Sequence, residues 1–128
     1  MIKSDEVIAQ VAESALCVVS PETTLRELVD ELVLAGQALA LVMTKETVDG
    51  VVSEGDVVRA IHDGADLDQV WAADVMTTET VFVDQQTAAW DVLELMLDEH
   101  IRHVVINRDS GPALVGFPAV VDLVLPRG

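Results

Sequence analysis

The sequence predicts a mixed α+β or α/β fold in which two tandem β-α-β-β-α repeats pack sheet to sheet with pseudo-two-fold symmetry. The first observation is an internal repeat, because residues 18–42 align with residues 82–106 at an offset of 64 without a gap. The second is that both copies alternate short apolar runs with helical periodicity in the same order. One copy alone would leave one face of its sheet apolar, and packing two copies together buries that face.

The first repeat begins with an apolar strand at residues 16–19, and a helix follows. Thr24 and Glu27 form a capping-box pattern at the start of this helix, with the glutamate three residues after the threonine. Apolar residues then recur at helical spacing along one face: Leu25, Leu28, Val29, Leu32 and Val33. The remaining expected elements are a strand at 39–43, a turn at 44–49, a strand ending at Val52 and a helix at 54–61.

The second repeat shows the same order, beginning with a strand at residues 81–83. Its helix has a matching apolar face: Ala89, Val92, Leu93, Met96 and Leu97. The other expected elements are a strand at 103–106, a turn at 107–112, a strand ending at Phe117 and a helix at 120–125. We therefore divide the chain into a first repeat with an N-terminal helical segment, residues 1–72, and a second repeat, residues 73–128.

The composition indicates an acidic surface around an aliphatic core. The net charge is −16, from 23 acidic and 7 basic residues, while 51% of residues are hydrophobic and 3% are aromatic. Such a surface repels nucleic acid and anionic lipid. The N-terminus does not resemble a signal peptide, no apolar run is long enough to span a bilayer, and the single Cys17 excludes an intrachain disulfide. We expect a cytoplasmic protein with no nucleic-acid or membrane partner.

The stretch GVVSEGDVV, residues 50–58, has two interpretations. Ser53 and Asp56 are spaced as a helix N-cap and its third residue, so they can cap a helix. The same helix start suits a phosphate, a carboxylate can accept hydrogen bonds from a ribose diol, and Gly55 leaves space for a ligand. The residues alone leave both interpretations open.

The ordered motifs resemble a cystathionine β-synthase (CBS) domain pair over residues 11–125. The motifs are VVSPETTL at 18–25, GVVSEGDVV at 50–58, DVMT at 74–77 and IRHVVI at 101–106. The resemblance implies an adenosine-containing ligand, such as AMP, ADP, ATP or S-adenosylmethionine, in a cleft between the repeats. It also implies a homodimer and a regulated partner protein.

The resemblance further implies roles for individual residues. Ser53 would contact phosphate and Asp56 would hold the ribose hydroxyls. Residues of the first strands, Val18, Val19 and Val81, would line the adenine pocket. Asp122 would correspond to Asp56 if Gly50 aligns with Gly116.

The second copy departs from the family pattern after Gly116. Ala119 then stands in the serine position, and Pro118 would remove a backbone donor at the end of a strand. Arg102 and His103 lie where relatives often carry basic residues that face phosphate, whereas the first copy has Ala38 and Leu39 there. We therefore expect at most one good site or two weak ones.

The predicted function is a regulatory module that binds an adenosine-containing ligand and controls a partner protein. The alternative is a ligand-free interaction or dimerisation module with degenerate nucleotide sites. We expect neither enzymatic activity nor a required cofactor, since no catalytic arrangement is evident. His62, His100 and His103 have no metal-binding spacing, so no metal is expected.

Overall fold

The computed structural model describes residues 6–11 and 16–125, which fall into two compact units. We call residues 16–80 the central unit, and residues 6–11 together with 81–125 the split unit. Each unit contains one three-stranded sheet and its own helices. The mixed α+β class with a repeated β-α-β-β-α order is therefore confirmed.

The central unit contains a sheet in the order β1-β2-β3. Strand β1 is parallel to β2, and β2 is antiparallel to β3. Its elements are β1 (Val18–Val19), α1 (Leu25–Ala35), β2 (Leu39–Thr44), β3 (Thr47–Ser53), α2 (Glu54–His62) and α3 (Ala72–Val75). The β2–β3 turn is shorter than predicted, because β3 already begins at Thr47. Lys45 accommodates this tight turn with a positive φ of 55°.

Helix α1 begins and ends with the signals that its sequence predicts. The Thr24 side chain accepts a hydrogen bond from the Glu27 N–H, and the Glu27 carboxylate accepts one from the Thr24 N–H. At the other end, Gly36 adopts the left-handed conformation, with φ of 64°. The predicted capping box is therefore confirmed.

The core of the central unit lies between α1 and the sheet. Leu25 and Leu28 on α1 and Val42 and Val52 on the sheet are fully buried in it. Cys17 is also buried. Because apolar side chains from both layers interdigitate here, burial of aliphatic surface stabilises the unit at about 25 cal/mol per Å².

The split unit has its own sheet in the order β4-β5-β6. Its elements are a 3₁₀ helix (Ile8–Val11), β4 (Phe82–Asp84), α4 (Ala89–Glu99), β5 (His103–Asn107), β6 (Ala113–Gly116) and α5 (Phe117–Val124). The segment 6–11 joins this unit through backbone hydrogen bonds, from the Ile8 N–H to the Thr87 carbonyl and from the Ala89 N–H to the Glu6 carbonyl, each 2.8 Å long. The Ile8 side chain is fully buried in the core of the split unit.

Helix α5 begins three residues earlier than predicted, immediately after Gly116. Pro118 therefore lies in the first turn of a helix and not at the end of a strand. The first turn tolerates proline because its N–H groups lack carbonyl partners within the helix, and the fixed proline φ suits the helix. In the described part of the chain, none of the helices combines the length and hydropathy needed to cross a bilayer.

Candidate functional site

The start of helix α2 brings Ser53 and Asp56 together. Ser53 ends β3 opposite Leu39 of β2 and serves as the N-cap of α2. Its Oγ accepts a hydrogen bond of 3.2 Å from the Asp56 N–H, and Asp56 Oδ2 accepts one of 2.8 Å from the Ser53 N–H. The capping interpretation of this pair is therefore confirmed, and the reciprocal bonds hold both side chains in fixed positions.

The carboxylate of Asp56 has a second partner in Arg59. The Arg59 guanidinium donates from Nη2 to Asp56 Oδ1, one turn further along α2. The Asp56 side chain is only 13% exposed, whereas that of Arg59 is 72% exposed. Each carboxylate oxygen can accept two hydrogen bonds, so the carboxylate retains acceptor capacity for a further donor such as a hydroxyl.

Gly55 lies between these groups and leaves space beside them. A Cβ at this position would lie 3.6 Å from Ser53 Oγ and 3.7 Å from Arg59 Nη1. A hydroxyl donor and a guanidinium donor therefore flank the same point on the first turn of the helix. An anionic group that approaches this side of the helix therefore comes within reach of both donors.

The first glycine of the motif, Gly50, has a different role. A Cβ on Gly50 would lie 2.6 Å from the Thr77 carbonyl oxygen and 3.0 Å from the sulfur of Met76. The neighbouring residue Val51 exchanges two backbone hydrogen bonds with Thr77, of 3.0 and 2.9 Å. Gly50 therefore permits the VMT segment to pack closely against β3.

The predicted first-strand residues point in different directions. Val18 on β1 is 46% exposed, whereas the next residue, Val19, is 7% exposed and packs in the core. This alternation is expected along a strand. In the split unit, Val81 packs partly buried against the core, and the residue that corresponds to Val18 is Phe82, also 46% exposed.

Phe82 is absent from the predicted site residues, although the sequence contains a signal for it. The offset of 64 that relates the repeats maps Val18 onto Phe82. The pairing agrees, because Val18 pairs with Leu41 and Phe82 pairs with Val105, again 64 residues apart. Phe82 is thus the exposed apolar side chain of β4, the first strand of the second repeat.

The pairing register changes the predicted alignment of the two motifs. Leu39 pairs with Ser53, whereas His103, 64 residues after Leu39, pairs with Gly116. The hydrogen bond from the Phe117 N–H to the Arg102 carbonyl likewise matches the one from the Glu54 N–H to the Ala38 carbonyl. The predicted alignments of Gly50 with Gly116 and of Asp56 with Asp122 are therefore wrong by three residues.

The second copy consequently has neither the serine nor the aspartate at the start of its helix. By register, Gly116 corresponds to Ser53, and Ala119 corresponds to Asp56. No side chain caps α5, and Asp122 lies exposed on its second turn. Arg102 is exposed before β5, and its guanidinium carbon lies 5.4 Å from the centre of the Phe117 ring. His103 is half-buried as the first residue of β5.

A second surface feature of the central unit is an apolar groove between α1 and α2. The groove has a volume of about 570 Å³. Its lining includes Val33 on α1 and Val58 and Ile61 on α2, which are 74%, 64% and 53% exposed. Asp56 and Arg59 are absent from this lining, so the groove is distinct from the Ser53–Asp56 pair.

In residues 6–11 and 16–125, no three His, Cys, Asp or Glu side chains are grouped closely enough to hold a metal ion.

Known proteins with related sequences include both short and long chains. The chain is 28% identical over 117 residues to an uncharacterized 17.7 kDa protein of Acidianus ambivalens, covering 91% of this chain and 70% of that protein. It is 29% identical over 107 residues to the arabinose 5-phosphate isomerase KdsD of Yersinia pestis. That match covers 83% of this chain and only 32% of the isomerase.

The fold and the family are established by two further comparisons. A CBS domain protein of Pyrobaculum aerophilum, solved in complex with AMP, superposes with a TM-score of 0.79 at 22% identity, covering 92% of this chain and 98% of that one. The family model for the CBS domain matches residues 7–63 and 72–117, so its second match ends where α5 begins. The chain therefore belongs to the CBS domain family and contains two repeats of that domain.

Proposed function

We propose that this protein is a regulatory module that binds an adenosine-containing ligand at the start of α2 and thereby controls a partner protein. The observation that carries the proposal is the pairing of Ser53 with Asp56 at the N-terminus of that helix. The hydroxyl and the helix N-terminus suit a phosphate, and the carboxylate suits the ribose hydroxyls. The AMP bound to the Pyrobaculum aerophilum relative supports this ligand class.

The exposed residues of the first strands complete the proposed contacts. Val18 presents an apolar side chain for the adenine ring, and Phe82 offers the corresponding surface in the split unit. Arg102, His103 and Asp122 are proposed contacts of a second and weaker site. That site is weaker because Gly116 and Ala119 provide neither a hydroxyl nor a carboxylate at the start of α5.

The experiment that tests the proposal is thermal unfolding with AMP, ADP, ATP, S-adenosylmethionine and NAD. Saturation at about 100 times the dissociation constant adds roughly 2.7 kcal/mol to the free energy of unfolding. For a domain of this size, that energy raises Tm by about 5–15 °C. We expect Asp56→Ala to abolish the shift and Asp122→Ala to retain most of it.

The two variants separate a ligand site from a helix cap. Asp56→Ala removes a cap as well as the proposed ligand contact, so its Tm without ligand will fall. The informative quantity is therefore the ligand-induced shift of each variant relative to its own ligand-free Tm. A full shift in Asp56→Ala would refute the assignment of the ligand to this site.

We also propose that the protein forms a homodimer through the groove between α1 and α2. Val33, Val58 and Ile61 expose large apolar surfaces along this groove, and burying them against a second copy would remove that surface from water. The measurement is sedimentation equilibrium of the wild type and of Val58→Glu. A monomeric wild type would contradict the proposal.

The alternative function is a dimerisation module that binds no ligand, and the same groove favours it. The two functions make opposite predictions for thermal unfolding with the ligands, since the alternative requires a stable dimer whose Tm no nucleotide shifts.

Neither function includes catalysis. The isomerase KdsD shows that related repeats occur within a longer enzyme, and we propose that the activity controlled here belongs to a partner domain or protein.

A further inference from the structure

The guanidinium of Arg59 lies against the first turn of α2. Its Nη2 donates to Asp56 Oδ1, and its Nη1 lies 3.7 Å from the position that a Gly55 Cβ would occupy. Ser53 Oγ lies 3.6 Å from the same position. A cation and a hydroxyl therefore flank the open side of Gly55, and the same cation also bonds the Asp56 carboxylate.

We propose that Arg59 makes this site select adenosine ligands that carry a phosphate over those that do not. The inference rests on the proposed function, because it assumes that the ligand ribose binds Asp56. In the free protein, the guanidinium occupies Asp56 Oδ1. A ligand phosphate near Gly55 accepts hydrogen bonds from Arg59 and draws it away from the carboxylate. Both acceptor positions of Oδ1 are then open to the ribose hydroxyls.

The exposures of the two side chains determine which one moves. Arg59 is 72% exposed, so water and the ligand phosphate can solvate the guanidinium when it leaves the carboxylate. Asp56 is 13% exposed and is held by the Ser53 N–H, so it remains in place. A guanidinium can donate two parallel hydrogen bonds to a phosphate, which favours the exchange.

An uncharged nucleoside gains less from the same site. It offers Arg59 no anion, so its ribose must share Asp56 with the guanidinium or displace the guanidinium without compensation. S-adenosylmethionine also lacks a phosphate. Its carboxylate lies at the far end of the methionyl chain, whereas its positive sulfonium is bonded to ribose C5′ and lies near Arg59 if its ribose binds Asp56. The site therefore favours AMP over both adenosine and S-adenosylmethionine.

The other basic residues described in the central unit do not offer this contact. Arg26 is bonded through two nitrogens to Asp68, at 2.6 and 3.2 Å. Lys45 lies in the β2–β3 turn, at the opposite end of β3 from Ser53. In a chain of net charge −16, a phosphate without a local cation is repelled, so Arg59 supplies the required positive charge.

The test is isothermal titration calorimetry with AMP, adenosine and S-adenosylmethionine on the wild type, Arg59→Gln and Arg26→Gln. We expect the wild type to bind AMP more tightly than the other two ligands. Arg59→Gln should weaken AMP binding about tenfold or more, while adenosine binding is unchanged or stronger. Arg26→Gln makes the same change of charge away from the site and should leave the preference for AMP intact.

Any one of three results would overturn the inference while leaving the proposed function intact. Arg59→Gln could weaken the binding of AMP and of adenosine equally, or it could leave AMP binding unchanged. The wild type could also bind S-adenosylmethionine more tightly than AMP. If the wild type binds no adenosine derivative, the proposed function fails and the inference fails with it.

Unfolding of ligand-free Arg59→Gln verifies its fold. Arg59→Lys retains the charge without the two-pronged contact, so its preference for AMP should lie between those of the wild type and Arg59→Gln.

Discussion

Gly36 and His100 end corresponding helices, 64 residues apart, in the same left-handed backbone conformation. Their φ values are 64° and 55°, and each follows an eleven-residue helix, α1 or α4. Glycine adopts this conformation without steric cost, whereas a histidine Cβ approaches the following carbonyl oxygen. The second repeat therefore contains a strained helix end where the first repeat has a relaxed one.

Replacing His100 with glycine should stabilise the protein. We expect His100→Gly to raise the free energy of unfolding by about 0.5–1 kcal/mol, because relief of the left-handed strain, roughly 1–2 kcal/mol, exceeds the backbone entropy that glycine loses on folding. Denaturant unfolding measures the change. Gly36→Ala is the matched comparison and should lower the free energy by a similar amount. A destabilised His100→Gly would show that the histidine side chain contributes more than its backbone strain costs.

Gly50→Ala should destabilise the central unit strongly. The added methyl group would lie 2.6 Å from the Thr77 carbonyl oxygen, so the VMT segment or β3 must shift. We expect a loss of about 1–3 kcal/mol, the usual range for overpacking, measured by denaturant unfolding. Wild-type stability in this variant would contradict the close contact between Gly50 and Thr77.

Gly55→Ala should have opposite effects on stability and ligand binding. Its Cβ meets only ordinary contacts, and alanine favours a helix by up to about 1 kcal/mol over glycine, so the ligand-free protein should be more stable. The same methyl group fills the point beside Ser53 Oγ and Arg59 Nη1, so the AMP-induced shift in Tm should decrease. A variant with higher ligand-free Tm and an undiminished AMP shift would place the phosphate elsewhere.

Glu27 should contribute stability that depends on pH. Hydrogen bonds from the Thr24 N–H and hydroxyl lower the pKa of the Glu27 carboxyl in the folded protein. A lowered folded pKa means that this contribution is fully present above the unfolded value of about 4.3 and is lost as pH falls through the folded value. The difference in stability between the wild type and Glu27→Gln should therefore shrink on acidification. A difference independent of pH would exclude this origin.

Cys17 should react slowly with thiol reagents. Burial, followed by the negative charge of Glu31, raises the pKa of the Cys17 thiol, and the residue is only 3% exposed. Because the thiolate is the reactive form, we expect labelling of the native protein to be much slower than labelling in denaturant. Labelling at the rate of an exposed cysteine would contradict the buried position of this residue.

The features that the sequence predicts correctly depend on neighbours close in the chain. The Thr24–Glu27 and Ser53–Asp56 caps join residues three apart, so their spacing alone indicates the hydrogen bonds. The apolar face of α1 follows from helical periodicity in the same way. These local signals also establish the order of elements in each repeat.

The features that sequence analysis missed depend on pairing between distant residues. The register of β5 with β6 places Gly116, and not Ala119, opposite His103. Aligning the motifs of the two repeats within one sequence does not reveal this register. Pro118 is compatible with a strand end or with a first helical turn, and the register decides between them. The ion pair of Arg59 with Asp56 joins residues three apart, yet the motif does not predict it, because GVVSEGDVV ends at Val58 and does not include Arg59.

The position of residues 6–11 in the split unit affects how the chain folds as it leaves the ribosome. The central unit, residues 16–80, is continuous, so every residue of its core is available before β4 has been synthesised. Ile8 is made before the central unit, but its partner Thr87 is made after it. Ile8 therefore stays without its partners in β4 and α4 until residues 81–99 have been synthesised, and the split unit can close only after the central unit is already able to fold.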